Sequence, residues 1–370
     1  MIPLPGLGRR VRARVRPLVA EAAAVPGADR YRKRFTTSPH LWIRLAHVLG
    51  GGDRLRQTYA ALGARAFAGL GLPDGISFSQ LARSSTSRPA APAAQLLTRL
   101  VARARRVAGR DRAWDTLARV QVVDSSFLTL AATLAPWSRR GKHPAGVRVH
   151  TGFDLAGDIP TDLVVTGNET HDARAFDRRD WDTLRGWTVV FDRGYYGHAR
   201  FAKLRAAGVA FVCRLNPQAH WVATGGHPVD PTPTADGDVV VADQLIALGS
   251  PNNRSGTVVP GVRLVTYRTT AGKRHRLVTD RHDLDAAAII ALYRARWRIE
   301  LFFRWLKRQL KAVRPLGHSR AAVTLTVPIC AIVALLTVLL DPERAAGTTK
   351  IAFARSLGAV ILPAVRRDSG

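Results

Sequence analysis

The chain is poor in the features that mark several protein classes. Only 2 of its 370 residues are cysteine, Cys213 and Cys330, far apart and without a Cys-x-x-Cys pair or clustered histidines. That excludes a disulfide framework and a zinc ribbon or finger, and suits a reducing cytosol. The first sixteen residues alternate Pro, Gly and Arg with no apolar run, so no secretory signal is expected. Acidic residues are scarce, 27 Asp+Glu against 56 Lys+Arg, which leaves a formal charge of +29. Lysine is scarce too. Seven of the 56 basic residues are lysine and 49 are arginine. A compact chain tolerates this self-repulsion most readily when a polyanion neutralises it, with nucleic acid first and an anionic membrane surface second. Arginine forks suit phosphate.

One stretch lacks charge altogether. Ala321–Leu340 holds twenty uncharged residues, long enough to span a bilayer. It also contains Pro328 and three threonines and stands alone in an otherwise charged chain, so it is expected as a buried helix or helix pair of a large core, with a membrane anchor as the alternative. What is abundant is apolar residue, 46% of the chain, which excludes a wholly disordered protein.

The texture changes along the chain. Residues 1–115 read as helical and basic, with amphipathic stretches at Trp42–Leu49 and Gln95–Val107, and with Ser77 placed to cap a short helix. This region reads either as a DNA-binding unit or as a helical bundle with a solvated basic face. Residues 116–215 carry Val-, Ile- and Phe-rich runs at 120–123, 146–154, 162–166, 187–191 and 210–215, with a helix expected over 196–207. That order is α/β around one sheet. Residues 216–276 turn rich in Gly, Pro and Thr and read as a β-rich insertion. From 277 to 345 the chain resumes with one long helical pattern, Leu284–Lys311, and the apolar segment. A tail occupies 346–370.

Two aspartates are expected at strand ends. Asp124 follows Val120-Gln121-Val122-Val123, and Asp192 follows Val189-Val190-Phe191. A carboxylate at the end of a buried strand reaches the sheet rim, where ligands bind in open α/β sheets, although strand-end aspartates also serve as caps and turn formers. The long helical pattern supplies a third acid. At about 100° per residue, Tyr293, Arg296, Glu300 and Lys307 fall within a stripe roughly 60° wide. Ile299, Phe302, Phe303, Leu306 and Leu310 form an adjoining apolar sector, and Arg294, Arg298, Arg304 and Arg308 a basic one.

The spacing Tyr-x2-Arg-x3-Glu-x6-Lys resembles the signature of insertion-sequence transposases of the IS-four family, members of the DDE class. Asp192-Arg193-Gly194-Tyr195 is similar to the family's second-aspartate motif and Val122-Val123-Asp124-Ser125 to its first, and the likeness covers roughly 30–340. The resemblance implies an RNase H-like catalytic core interrupted by the 216–276 insertion and preceded by a helical N-terminal domain. It implies Asp124, Asp192 and Glu300 as catalytic residues converging on two Mg²⁺ or Mn²⁺ ions, hard cations suited to carboxylate oxygens. Tyr293, Arg296 and Lys307 match the residues that hold DNA phosphates. Trp297 would stack on an unpaired base, with Arg294, Arg298 and Arg304 as further DNA contacts. Trp221 is a weaker stacking candidate. His150 is expected near the site without an assigned role, and Asp280, Asp283 and Asp285 as turn and helix-dipole residues.

The function so implied is cut-and-paste transposition in the bacterial cytoplasm, on the nucleoid. Its partners would be double-stranded DNA (element terminal inverted repeats and target) and a second copy of the chain in a homodimer, with no membrane. The rivals are an RNase H-like nuclease without strand transfer and a catalytically inactive DNA-binding relative.

Overall fold

The computed structural model describes residues 7–340 and Leu357, except 31–33, 50–54, 108–118, 131–134, 140–143, 168–171, 230–232, 253–255 and 314–318. The tail expected at 346–370 lies, apart from Leu357, outside the described residues. Six helices come first: α1 (Leu7–Ala23), α2 (Thr37–Leu49), α3 (Leu55–Ala61), α4 (Ala64–Gly69), α5 (Phe78–Ser87) and α6 (Ala91–Val107). Ser77 caps α5 through a reciprocal pair, accepting from the Gln80 N–H while the Gln80 side chain accepts from the Ser77 N–H. The amphipathic pattern read over Trp42–Leu49 has no solvated face in the fold. All of α2 except Ser38 is buried, because α1, α3, α10 and α11 pack around it.

Nine strands form one sheet in the order β3-β2-β1-β4-β5-β9-β8-β7-β6. They are β1 (Val120–Thr129), β2 (Gly146–Asp154), β3 (Ile159–Gly167), β4 (Thr188–Phe191), β5 (Ala210–Arg214), β6 (Trp221–Gly226), β7 (Val239–Gly249), β8 (Val258–Arg268) and β9 (Arg274–Thr279). The pairs β1/β4 and β4/β5 are parallel and all others antiparallel. The β-rich stretch does not fold away from the first five strands, because its β8 pairs with β9, which in turn pairs with β5 from Val212↔Thr279 to Arg214↔Leu277. Helices α7 (Asp172–Asp177) and α8 (His198–Ala206) cover one face. The other is covered by α6, α9 (Ala286–Ala295), α10 (Trp297–Val313) and α11 (Arg320–Leu339).

Strand alternation decides which side chains meet which helices. Val122, Val190 and Val212 are registered partners and lie in the cluster with α9, α10 and α11. Their neighbours Val123, Phe191 and Cys213 lie in the cluster with Phe176 of α7 and Phe201 of α8. The apolar segment forms a single helix, α11, packed against α6, β3, α2 and α5. It is long and apolar enough to cross a membrane, yet here most of its residues are buried inside the fold. Its threonine hydroxyls are satisfied locally: Thr324 donates to Arg320 O, Thr326 to Ala322 O and Thr337 to Ala334 O.

Two sequence expectations change. The pattern over Leu284–Lys311 is two helices joined at Arg296, where Arg296 N–H donates to Tyr293 O and Ile299 N–H to Arg296 O, each at 3.2 Å. These i→i−3 bonds tighten the turn locally. Asp124 is also not at a strand end. β1 continues to Thr129 because β2 pairs with it as far as Thr129↔Gly146. What stops near Asp124 is the parallel pairing with β4, whose last registered pair is Val122↔Val190, so the rim is formed on the β4 side alone.

Candidate active site

Asp124 and Asp192 each stand two residues beyond Val122 and Val190, so alternation carries both carboxylates to the face covered by α9 and α10. Asp192 follows the last residue of β4 and caps the short turn Arg193–Tyr195, its Oδ1 accepting from Gly194 N–H at 2.8 Å. A Cβ on Gly194 would lie 3.0 Å from that oxygen, so glycine two residues on gives the carboxylate room to fold back. Glu300 sits in the first turn of α10, where the helix dipole favours an anion.

Arg296, at the junction of α9 and α10, joins two of the three acids. Its Nη1 donates to Asp124 Oδ2 at 3.1 Å and its Nη2 to Glu300 Oε1. The other Asp124 oxygen, Oδ1, accepts from Ser125 N–H at 2.8 Å. Burial pushes the Asp124 carboxyl up to about 6. Asp192 and Glu300 add to that rise as neighbouring negative charges, while the Ser125 N–H and Arg296 oppose it. Burial also raises the hydroxyls of Tyr293 and Tyr195, with Asp192 contributing to both. Asp192 and Glu300 thus act on Asp124, and Asp192 on both tyrosines, although the three acids come from β1, the end of β4 and α10.

This all-oxygen donor set fits a hard divalent cation, and a guanidinium already bridges two of its members. As placed, no three His, Cys, Asp or Glu side chains among the described residues are gathered closely enough to hold one metal ion.

The remaining residues of the helical stripe and its basic sector fall into two groups. Tyr293 and Lys307 are half-buried, Arg304 and Arg308 are exposed, and Trp297 is 52% exposed with the Arg304 guanidinium 5.4 Å from its ring centre. Arg294 and Arg298 are engaged within the fold. Arg294 pairs with Asp236 at 2.9 Å and Asp238 at 2.6 Å, and Arg298 with Asp158 at 3.1 Å. Of the apolar sector, Ile299, Phe302, Phe303 and Leu306 are core, while the Leu310 side chain lies outside what the structure describes. Trp221 packs against the α7/α8 cluster. Asp285 caps α9 by accepting from Ala288 N–H, Asp280 accepts from Phe211 N–H, and Asp283 pairs with Arg281.

A network lies on the other face of β1, and of its members the sequence marks only His150, which is expected near the acids and stands behind the strand instead. Ser125 Oγ donates to Asp172 Oδ1 at 2.6 Å, and Arg148 pairs with the same carboxylate at 3.1 Å. His150, registered opposite Ser125, stands 3.7 Å from Asp172 and shares a hydrogen bond with Thr166 at 2.9 Å. Burial pulls its imidazole down to about 4. Alternation sends Ser125 away from Asp124, so this network buttresses the strand from behind. A cavity of about 560 Å³ opens beside it, lined by Gln121, His150, Asp162 and Arg179 among others, and none of the three acids borders it.

Comparison with known proteins finds a matching family and named relatives. The profile of the family described as "Transposase DDE domain" matches residues 115–336. A protein of Sinorhizobium fredii named as transposase y4zB is 29% identical over 208 residues, 56% of this chain and 57% of its own. A protein of Geobacillus stearothermophilus named as the transposase for insertion sequence element IS5377 is 27% identical over 206 residues, 55% of this chain and 52% of that one. A Synechocystis protein named as the transposase for element IS4SA is 25% identical over 232 residues, 62% of each chain. The chain thus spans about half to three-fifths the length of these relatives. A solved piggyBac transposase synaptic complex with hairpin DNA matches 98% of this chain and 80% of its own at 11% identity and a TM-score of 0.46, too distant a likeness to carry weight.

Proposed function

Because this chain belongs to the family described as Transposase DDE domain, we propose that it is a DNA transposase that cuts DNA at the ends of an insertion sequence and joins the freed 3′ ends to target DNA. The observation that carries the reading is that Asp124 and Glu300, from separate elements, share the Arg296 guanidinium, while Asp192 leaves the neighbouring strand β4 toward the same face. The order β3-β2-β1-β4-β5, antiparallel and then parallel, supports reading 116–215 and 277–345 as an RNase H-like core. On that reading 216–276 is a β-rich insertion laid along the same sheet and 1–115 the helical DNA-binding region. Transposases of the DDE class use divalent metal ions. Held by the three carboxylates, two Mg²⁺ or Mn²⁺ ions would supply activation of an attacking water or 3′-hydroxyl and stabilisation of the leaving oxygen.

The chain's own residues supply position and charge. Ser125 N–H and Gly194 N–H each hold one oxygen of the Asp124 and Asp192 carboxylates. Lys307, Arg304 and Arg308 lie further along α10, one to two turns past Glu300, where a phosphate backbone crossing the site would run. Tyr293 and Arg296 would hold phosphates close to the scissile bond, and Trp297 offers an exposed ring to an unstacked base. We read the working form as a homodimer bridging two inverted-repeat ends, within the bacterial cytoplasm and on the nucleoid.

The test uses pre-cut and uncut element ends with Mg²⁺. Asp124→Ala, Asp192→Ala and Glu300→Ala should each abolish metal-dependent cleavage while DNA binding survives. Cleavage retained in any of the three would remove that residue from the proposed site. Cleavage without joining of pre-cut ends would make the protein a nuclease of the same fold.

A further inference from the structure

Arg296 stands where two functions compete, and the geometry points to a counter-ion latch. We propose that its guanidinium occupies the carboxylate site in the metal-free protein and must leave Asp124 and Glu300 for a divalent cation to bind. The inference rests on the reading of the three acids as the metal site, and adds to it a device that keeps the site closed.

Asp124 Oδ1 is committed to Ser125 N–H, which leaves Oδ2 as the oxygen facing the site, and Arg296 Nη1 donates to that oxygen. Nη2 donates to Glu300 Oε1. One guanidinium therefore engages the outward oxygens of two acids on different elements, which a planar fork can do and a point charge cannot. The side chains concerned are largely shielded, with 20% of Arg296, 17% of Asp124 and 31% of Glu300 exposed. Two acids so placed repel unless a cation lies between them, and here the cation is part of the chain. A divalent ion seeking the same oxygens meets a positive charge in its place.

The latch is built to open. Arg296 is the single residue between α9 and α10, held by i→i−3 bonds rather than within a continuous helix. Its release needs rotation of one long side chain and no disruption of the core. Once released, the guanidinium remains on the face where DNA phosphates would arrive, so phosphate and metal favour the same open state. By linkage, each would then strengthen the other.

The experiment measures Mn²⁺ binding to the metal-free full chain by calorimetry, with melting temperature in EDTA and in saturating Mn²⁺. Arg296→Gln should bind Mn²⁺ roughly tenfold tighter than the wild type, the scale of an ordinary coupling between sites. It should melt lower in EDTA and gain more from Mn²⁺. Arg296→Lys, which keeps charge but loses the fork, should fall between the two, and it decides the matter if the Gln variant does not fold. Equal or weaker Mn²⁺ binding by a folded Arg296 variant, alongside loss of binding in Asp124→Asn, would overturn the latch alone. Unchanged Mn²⁺ binding in Asp124→Asn would overturn both the latch and the metal site on which it rests.

Discussion

Asp124→Asn should stabilise the metal-free protein, and the size of the effect follows from the site. The Asp124 carboxyl is raised from 3.8 to about 6, and that shift is already net of the attraction to Arg296 and the bond from Ser125 N–H. Its side chain is 17% exposed, so solvent screens little of the cost. About two pH units correspond to about 3 kcal/mol. The sign is that of an acid whose folded value is raised. Its favourable contribution is complete below the unfolded value of 3.8 and is lost as pH rises through about 6. At pH 7 to 8 the wild type therefore carries the full cost of an ionised, buried carboxylate, whereas asparagine carries none of it and keeps one oxygen to accept from Ser125 N–H, giving up the bond from Arg296.

Urea unfolding in EDTA across pH 4 to 8, with the two proteins compared at each pH, isolates this term because every other titrating group is common to both. The two should be nearly equal at pH 4, diverge through pH 5 to 6, and differ by about 3 kcal/mol above that. With a slope of about 3 kcal/mol per molar this is a midpoint shift of about 1 M. Saturating Mn²⁺ should reverse the order, because only the wild type offers the full acid set. A wild type more stable than Asp124→Asn at pH 8 in EDTA, or a difference that does not change between pH 4 and 6, would refute the reasoning.

Two further outcomes bear on the helical layer and on the DNA face. Arg44 is 1% exposed in the centre of α2; its Nη2 donates to Thr326 Oγ1 at 2.6 Å, while Nε and Nη1 have no hydrogen-bond partner among the described residues, and burial pulls its guanidinium down to about 10. Arg44→Met should therefore raise the melting temperature, with a gain of about 1–4 kcal/mol; a fall would mean that the cation is neutralised from elsewhere. Trp297→Ala, at an exposed ring, should change stability by less than about 0.5 kcal/mol. It should nonetheless weaken binding of a branched or single-stranded element end by the roughly 1–3 kcal/mol of one lost stacking contact, measured by fluorescence anisotropy.

Local chemistry made much of this legible before the fold was known. Valine-rich runs gave the positions of β1, β2, β4 and β5, the Ser77 and Gln80 pair marked the start of α5, and helical phase grouped Tyr293, Arg296, Glu300 and Lys307. Each of these depends on residues within a turn or a strand of one another. What escaped depends on partners far along the chain. β1 outlasts Asp124 because of β2, and the β-rich stretch joins the main sheet through β8 on β9, which pairs with β5. Asp172 reaches Ser125 and Arg148 from a helix with no pattern to mark it.

The positive charge shows the same division. Thirteen described arginines, among them Arg148, Arg179, Arg200, Arg263, Arg294 and Arg298, make ion pairs with aspartates. Every such pair removes one charge of each sign, so the excess of +29 is untouched by pairing and must reside on other residues. Net charge therefore identifies the class of partner without identifying the contacts. Arg294 and Arg298, which the helical wheel grouped with Arg304 and Arg308, belong to the paired set. Arg304 and Arg308 are exposed on α10, beyond Glu300. A charge-neutral substitution at these two positions should lower the salt dependence of DNA binding, whereas the same change at Arg294 should act first on the packing of α9 against the β7 strand and its preceding turn.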